Sequence, residues 1–288
     1  MSKPPINGTD WLRQHRNAAA AATTPSAPVC SGEDAIDSQV ERFLQQHGVK
    51  YAPKTLIPIG LIDEKSSHGN QARDVPLVPE SVERFAVSIR KGEYLPPIIV
   101  FPNGNRVTIV DGNNRHAGHK KAGSHTVPGF VIAEDTPSET IVLLTVAANN
   151  GHGVTPDLKW RKRQAVHLTS LGFTADKACE AAGITKAQLT DFKGLLYADA
   201  RAKQHRIPVA WNDLPETSRL ALGRIPLDGV FILSAHLVID TGLDSKGTQE
   251  LLRNIKACSS ESEQVTFIAK LSEERKAAAR ARSATGNN

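Results

Sequence analysis

Residues 109–123 read IVDGNNRHAGHKKAG. The alternation of Val107 and Ile109 marks a strand that runs into this stretch, and RHAGHKKAG marks a short helix closed by Gly123. Gly112 permits a tight turn between them, and the first N–H groups of such a helix have no partner inside it. Those donors, the positive end of the helix dipole and the Arg115 guanidinium converge on one point, which suits a phosphate. Asn and Gly are also ordinary turn and cap residues, so the rest of the chain has to decide between the two readings.

The chain has 288 residues, enough for about two domains with separate cores. Its longest strongly apolar stretch, IVLLTVAA (141–148), is too short to span a bilayer. The alanine run at 18–22 lacks the leucine-rich centre of a cleavable signal. Cys30, Cys179 and Cys258 are odd in number and far apart, without metal-ligand spacing, and read as reduced thiols of a cytoplasmic protein. The net charge is +5, and residues 157–206 carry ten Lys/Arg against five Asp/Glu. The whole surplus therefore sits in one block, the footprint of a polyanion partner; a solvated lysine-rich helix face has the same composition.

The pattern along the chain predicts four parts. Residues 1–35, rich in Ala, Thr, Pro and Ser, are expected to be a disordered arm. Trp11, Leu12, Arg13 and Arg16 form an island within it, either a partner-binding peptide or chance. Residues 36–150 mix α and β. Val82, Phe85, Ala86 and Ile89 follow helical spacing up to Gly92. Strands at 98–101 and 106–110 flank a Pro102–Asn105 hairpin turn, and 126–133 and 138–150 read as a further strand and helix. The stretch 151–155 is a joint. Residues 154–206 begin with a basic helix from Pro156 to Leu171 capped by Thr155. Two helices follow, 175–182 and 186–196, joined at Gly183 and apolar at Ala178, Ala182, Ile184, Leu189 and Phe192. This is a helix-turn-helix pattern. It puts Thr185, Lys186, Gln188 and Thr190 where side chains meet duplex DNA, with Arg161, Lys162 and Arg163 as phosphate contacts. Residues 207–288 read as a helical region with a basic tail.

This order of parts, over roughly 55–200, resembles the ParB-type chromosome and plasmid partition proteins. The resemblance implies an α+β ParB/sulfiredoxin-like N-terminal domain, then an all-α helix-turn-helix domain and a helical C-terminal region. The family's Gly-Glu-Arg-Arg, followed by a helix ending in Ala-Gly, is matched by Gly112-Asn113-Asn114-Arg115 and Ala122-Gly123. Its Gln-Pro-Arg is matched by Gln71-Ala72-Arg73, and its Glu-Asn-x-x-Arg by 149–153, beginning Asn149-Asn150. AGITKAQLTDFKGLL (182–196) aligns with the family's helix-turn-helix without a gap.

The resemblance implies a CTP site whose occupancy closes a homodimer into a clamp around double-stranded DNA. Arg73 and Arg115 would hold phosphates, with Gln71, Gly112, Asn113, Asn114, Asn149 and Asn150 around them. Mg²⁺ would accompany the nucleotide, and a ParA-type ATPase would meet the N-terminal arm. Asn149 stands where the family has an acidic residue, and an amide is a poorer Mg²⁺ ligand than a carboxylate. A weak CTPase at most is expected. Sulfiredoxins need a reactive cysteine in the phosphate turn, and none lies between Cys30 and Cys179. The alternatives are a helix-turn-helix transcription regulator with a degenerate nucleotide site, and a nuclease or kinase of the same fold. The location implied is cytoplasmic and nucleoid-associated, with no membrane partner.

Overall fold

The computed structural model describes residues 11–15, 32–64, 77–151 and 156–285. Gln71, Arg73, Cys30, Thr155 and most of the 1–35 arm and the 151–155 joint lie outside the described residues. The chain divides into two compact units, Met1–Thr185 and Lys186–Asn288.

The first unit is built on a four-stranded sheet of order β1-β4-β2-β3: β1 Thr55–Pro58, β2 Ile98–Asn103, β3 Arg106–Asp111 and β4 Thr126–Val131. β1 and β4 run antiparallel, β4 and β2 parallel, and β2 and β3 form the expected hairpin. The strands run past the predicted turn. Pro102 and Asn103 pair with Val107 and Arg106, leaving a two-residue loop with Gly104 at φ 59°. Beyond Val100, β2 no longer pairs with β4, and a proline is tolerated there.

Period-two alternation gives the sheet two apolar faces. Ile57, Ile98, Val100, Val107, Ile109, Val127 and Val131 share one cluster with Ala52 and Ile62. Ile99, Val110, Phe130 and Ile132 share another with Leu44, Val49, Ile141 and Leu144. The second cluster draws on two helices, α1 Gly32–Gln46 and α4 Ser138–Gly151. Between them in the chain lie α2 Pro79–Arg90, with proline in its first turn, and α3 Asn113–Lys121, which packs on α2.

The arm departs from expectation. Residues 11–15 are helical, and Trp11 and Leu12 are each only 3% exposed within the first of those clusters. The His15 ring stacks on Trp11 at 4.2 Å and its Nε2 lies 3.0 Å from Thr55 Oγ1. The island is part of the core, because an aromatic and a leucine beside an open apolar sheet face gain more by burial than by solvation. Helix α1 also begins before residue 36, inside the expected arm.

The unit continues with α5 Leu158–Ser170 and α6 Ala175–Ala182. Asp157, not Thr155, caps α5: its carboxylate accepts from the Trp160 N–H at 2.7 Å, so the helix starts two residues after Pro156. Both α4 and α5 pack on α6. Compactness therefore continues past the expected boundary near 150 and breaks only after Thr185.

The second unit is helical: α7 Lys186–Gln204, α8 Glu216–Gly223, α9 Asp228–Thr241, α10 Ser245–Ala257 and α11 Glu261–Thr285. Trp211, Leu222, Ile225, Phe231, Val238, Leu251 and Ile268 are among its core residues. Arg201, 5% exposed, donates from Nε to Asp228 at 2.7 Å, from Nη2 to the Pro226 carbonyl at 3.2 Å, and from Nη1 to the Ile225 carbonyl. It also lies over the Phe231 ring at 4.3 Å. A buried guanidinium is tolerated when its donors are satisfied in this way.

Trp11→Ala is expected to cost about 3 kcal/mol, the low end for truncating a buried tryptophan. Urea unfolding of the full chain should show a lower midpoint, with Trp11→Phe recovering most of the loss. An unchanged midpoint would mean the segment contributes nothing to the core.

Candidate functional site

The turn from β3 into α3 forms where no side chain fits. Gly112 sits at φ 104°, and a Cβ there would lie 2.5 Å from Ile98 Cγ2. Glycine alone lets β3 turn this closely over the start of β2. Helix α3 then begins at Asn113 without a side-chain cap.

Its N-terminus opens into a cleft of about 230 Å³. Asp111, Gly112, Asn113, Asn114 and Arg115 line one end, joined by Asn149 from α4. Ile36, Gln39 and Val40 of α1 line another part, with Val78, Phe85 and Pro96. The fold thus brings Asn149 to the glycine turn, as the sequence reading expects for two segments far apart in the chain.

Arg115 is placed differently from expectation. Its Nη1 donates to the carbonyls of Pro96 at 2.7 Å and Pro97 at 2.8 Å, and its Nη2 to Asp111 Oδ2 at 2.6 Å. The side chain is only 11% exposed. The guanidinium ties the entrance of β2 to the exit of β3. Two carbonyls and a carboxylate occupy the donors that a phosphate would otherwise take. Burial, with the Arg115 charge second, holds the His119 imidazole one turn on below its ordinary value.

The amides divide their roles. Asn114 Oδ1 accepts from the Val78 N–H at 3.2 Å, fixing the residue before α2. Asn149 Nδ2 donates to the Thr145 carbonyl at 2.8 Å. Asn150, expected beside the phosphates, packs instead on Gly183: a Cβ at Gly183 would sit 2.2 Å from Asn150 Oδ1. Successive helical residues point about 100° apart, and here Asn149 lines the cleft while Asn150 turns to Gly183. Gln71 and Arg73 lie outside the described residues. Asp111, a carboxylate that lines the cleft, is bonded to Arg115.

The sequence reading missed the α1 and α2 walls. The signal was present, since Ile36, Val40, Phe43 and Leu44 fall at i, i+4, i+7 and i+8.

The helix-turn-helix segments form where predicted. α6 spans 175–182, Gly183 takes φ 62°, and α7 begins at Lys186, although it runs on to Gln204 rather than 196. Thr185, Lys186 and Thr190 are exposed and Gln188 is half-buried. Arg163 is exposed and Lys162 half-buried, whereas Arg161 Nη1 donates to the Gly183 carbonyl at 2.7 Å. With Arg201 buried as well, these two cations of the basic block serve the fold.

The family model for the ParB N-terminal domain matches residues 46–148. A curated relative, a probable plasmid-partitioning protein ParB of Xylella fastidiosa (strain 9a5c), is 22% identical over 130 residues. That match covers 45% of this chain and 31% of the relative, so the chain spans about a third of the relative's length. Among solved structures, the chain is similar to the C-terminally truncated chromosome-partitioning protein ParB of Caulobacter crescentus complexed to the centromeric parS site. That likeness has a TM-score of 0.45 at 17% identity, over 69% of this chain and 99% of the other. It is also similar to the Caulobacter protein complexed with CTP-γ-S, with a TM-score of 0.30 at 18% identity, over 70% and 98%.

Arg115→Ala should destabilise the nucleotide-free protein by about 2 kcal/mol, because it leaves the half-buried Asp111 carboxylate without its charge-assisted partner. Arg115→Lys should recover only part, since an ammonium lacks the planar fork. Denaturant titration without ligand tests this. A parental midpoint in Arg115→Ala would free the guanidinium from a structural role.

Proposed function

We propose that this chain, of the ParB type in its N-terminal domain, is a DNA-binding partition protein in which the cleft at the mouth of α3 takes CTP and the helix-turn-helix reads double-stranded DNA. The observation that carries the reading is the cleft itself, which gathers Gly112, Asn113, Asn114 and Arg115 with Asn149 at an uncapped helix N-terminus. The first N–H groups of α3 and its dipole suit phosphate oxygens without any side-chain cation. Exposed Thr185, Lys186 and Thr190 at the start of α7 suit a major groove.

In this reading Gln71 and Arg73 add to the phosphate end and the functional form is a homodimer on paired half-sites. Partition follows the resemblance and the family of the Xylella relative, and it brings a ParA-type ATPase as partner of the arm. Trp11 and Leu12 are buried, so that contact falls to other arm residues. Turnover of CTP is slow or nil, because Asn149 stands in the place of an acid. The working place is the nucleoid in the cytoplasm; among the described residues no helix is long and apolar enough to cross a membrane.

One observation favours a second reading. The Arg115 guanidinium is already committed to Pro96, Pro97 and Asp111. A transcription regulator that keeps the fold and binds DNA without nucleotide accounts for that equally well. A nuclease or kinase of this fold is the third reading, and metal-dependent cleavage of plasmid DNA tests it.

Calorimetry of CTP, with and without cognate duplex, separates the first two readings. Binding at submillimolar concentration is expected, and silence at millimolar CTP with DNA present selects the regulator.

For the DNA face, Lys186→Ala should weaken binding and Gln188→Ala should alter sequence preference in gel-shift titrations. Replacing Lys162 and Arg163 should flatten the salt dependence of log affinity by about 0.9 for each phosphate they neutralise in the parent. A parental slope would reduce that helix face to solvation.

A further inference from the structure

We propose that α1 forms the base-side wall of the cleft and that Gln39 hydrogen-bonds the edge of the nucleobase. This rests on the nucleotide reading above and assigns the end of the site that selects among nucleotides.

The cleft has two unlike ends. Around the N-terminus of α3 it offers backbone donors and the amides of Asn113, Asn114 and Asn149. On the α1 and α2 side it offers Ile36, Val40, Val78 and Phe85. A nucleotide has the same two-ended chemistry, with charged phosphates at one end and a flat ring of apolar faces and polar edges at the other. Phosphates at α3 leave the ring against the aliphatic side chains and the Phe85 ring, where burial and stacking favour it. A ring so placed keeps only its edge to be satisfied. Gln39 is the polar side chain that α1 and α2 contribute to the lining. It lies three residues from Ile36, on the same helix surface, and it is exposed. Its amide carries both donors and an acceptor, as the Watson–Crick edge of a base does.

α1 is held firmly enough to serve as a wall. Leu44 is fully buried, and Val40 and Phe43 pack on the same cluster. Asp37, beside Ile36, accepts from both Lys54 Nζ and Tyr94 Oη, and Lys54 Nζ reaches Tyr94 Oη at 3.1 Å. Burial and the bond to Asp37 push the Tyr94 hydroxyl up to about 12. Burial opposes the charge on Lys54, but its bonds to Asp37 and Tyr94 outweigh that and raise its ammonium above the ordinary value. Both partners stay protonated through the neutral range, so the clasp on α1 is constant there. Ile36, Gln39 and Val40 all precede residue 46, where the match to the ParB N-terminal domain begins.

The test is a set of binding isotherms for CTP, UTP, ATP, GTP and inorganic triphosphate, on the full chain and on Gln39→Ala and Gln39→Glu. Gln39→Ala should lower affinity for the preferred nucleotide roughly three- to tenfold, the range of one hydrogen bond, and leave triphosphate unchanged. Gln39→Glu can only accept, so the ratios among the four nucleotides should change, with affinity lost wherever the parent amide donates to an oxygen or ring nitrogen of the base. Three results overturn the proposal while the cleft reading stands: a parent that binds all four nucleotides alike, a Gln39→Ala variant with parental affinities and preference, or an equal loss for triphosphate. A parent that binds none of the probes overturns the cleft reading and this proposal together. Gln39 is exposed, so both variants should keep the parental thermal midpoint.

Discussion

Everything around the cleft depends on the bond from Arg115 across the turn that Gly112 opens. A strand must end, reverse into a helix and leave the helix N-terminus accessible. Gly112 allows the reversal because Ile98 fills the space a Cβ would take. Arg115 then fastens the reversed helix to Asp111 behind it and to the Pro96 and Pro97 carbonyls beside it. Prolines bring no N–H to this junction, and their carbonyls need donors if they are not to be lost from water. One guanidinium supplies them. The same device that makes the cleft rigid also occupies its most obvious cation, and the positive character left at the cleft is that of the helix end and its backbone N–H groups.

The C-terminus of α4 carries the site toward the helix-turn-helix. Asn149 lines the cleft, and its neighbour Asn150 packs against Gly183 in the turn between α6 and α7. Arg161 meets the same glycine through its carbonyl. A left-handed residue with no side chain is what lets two polar groups close on the turn from different helices. The first compact unit extends through Thr185 because α4 and α5 both pack on α6.

Much of this was legible from local pattern. The hairpin at 98–111, the glycine turn, the helix from Pro79 and the helix-turn-helix segments each follow from a short-range rule: alternation, helical spacing, a cap or a positive φ. Trp11 and Leu12 were not legible, since five residues between Pro- and Ala-rich stretches carry no periodicity to count, and only an open sheet face elsewhere makes them core. The Thr155 cap was misread because two capping residues flank Pro156, and hydrogen bonding decided for Asp157.

By itself the sequence determined the order of elements, the glycine at the turn, the basic block and the residue types at the helix-turn-helix, because these depend on neighbours within a few positions. Only the tertiary structure decided which groups remain for a ligand. Arg115, Arg161 and Arg201 read alike as exposed cations. Yet the first is bound to Asp111 and two proline carbonyls, the second to the Gly183 carbonyl, and the third to Asp228 and two carbonyls within a core. A side chain's charge is written in its identity, but its partners are set by what the fold brings within about 3 Å of it. The same holds for α1, whose apolar stripe was countable but whose place as the wall of a cleft depended on a sheet whose strands lie between Thr55 and Val131.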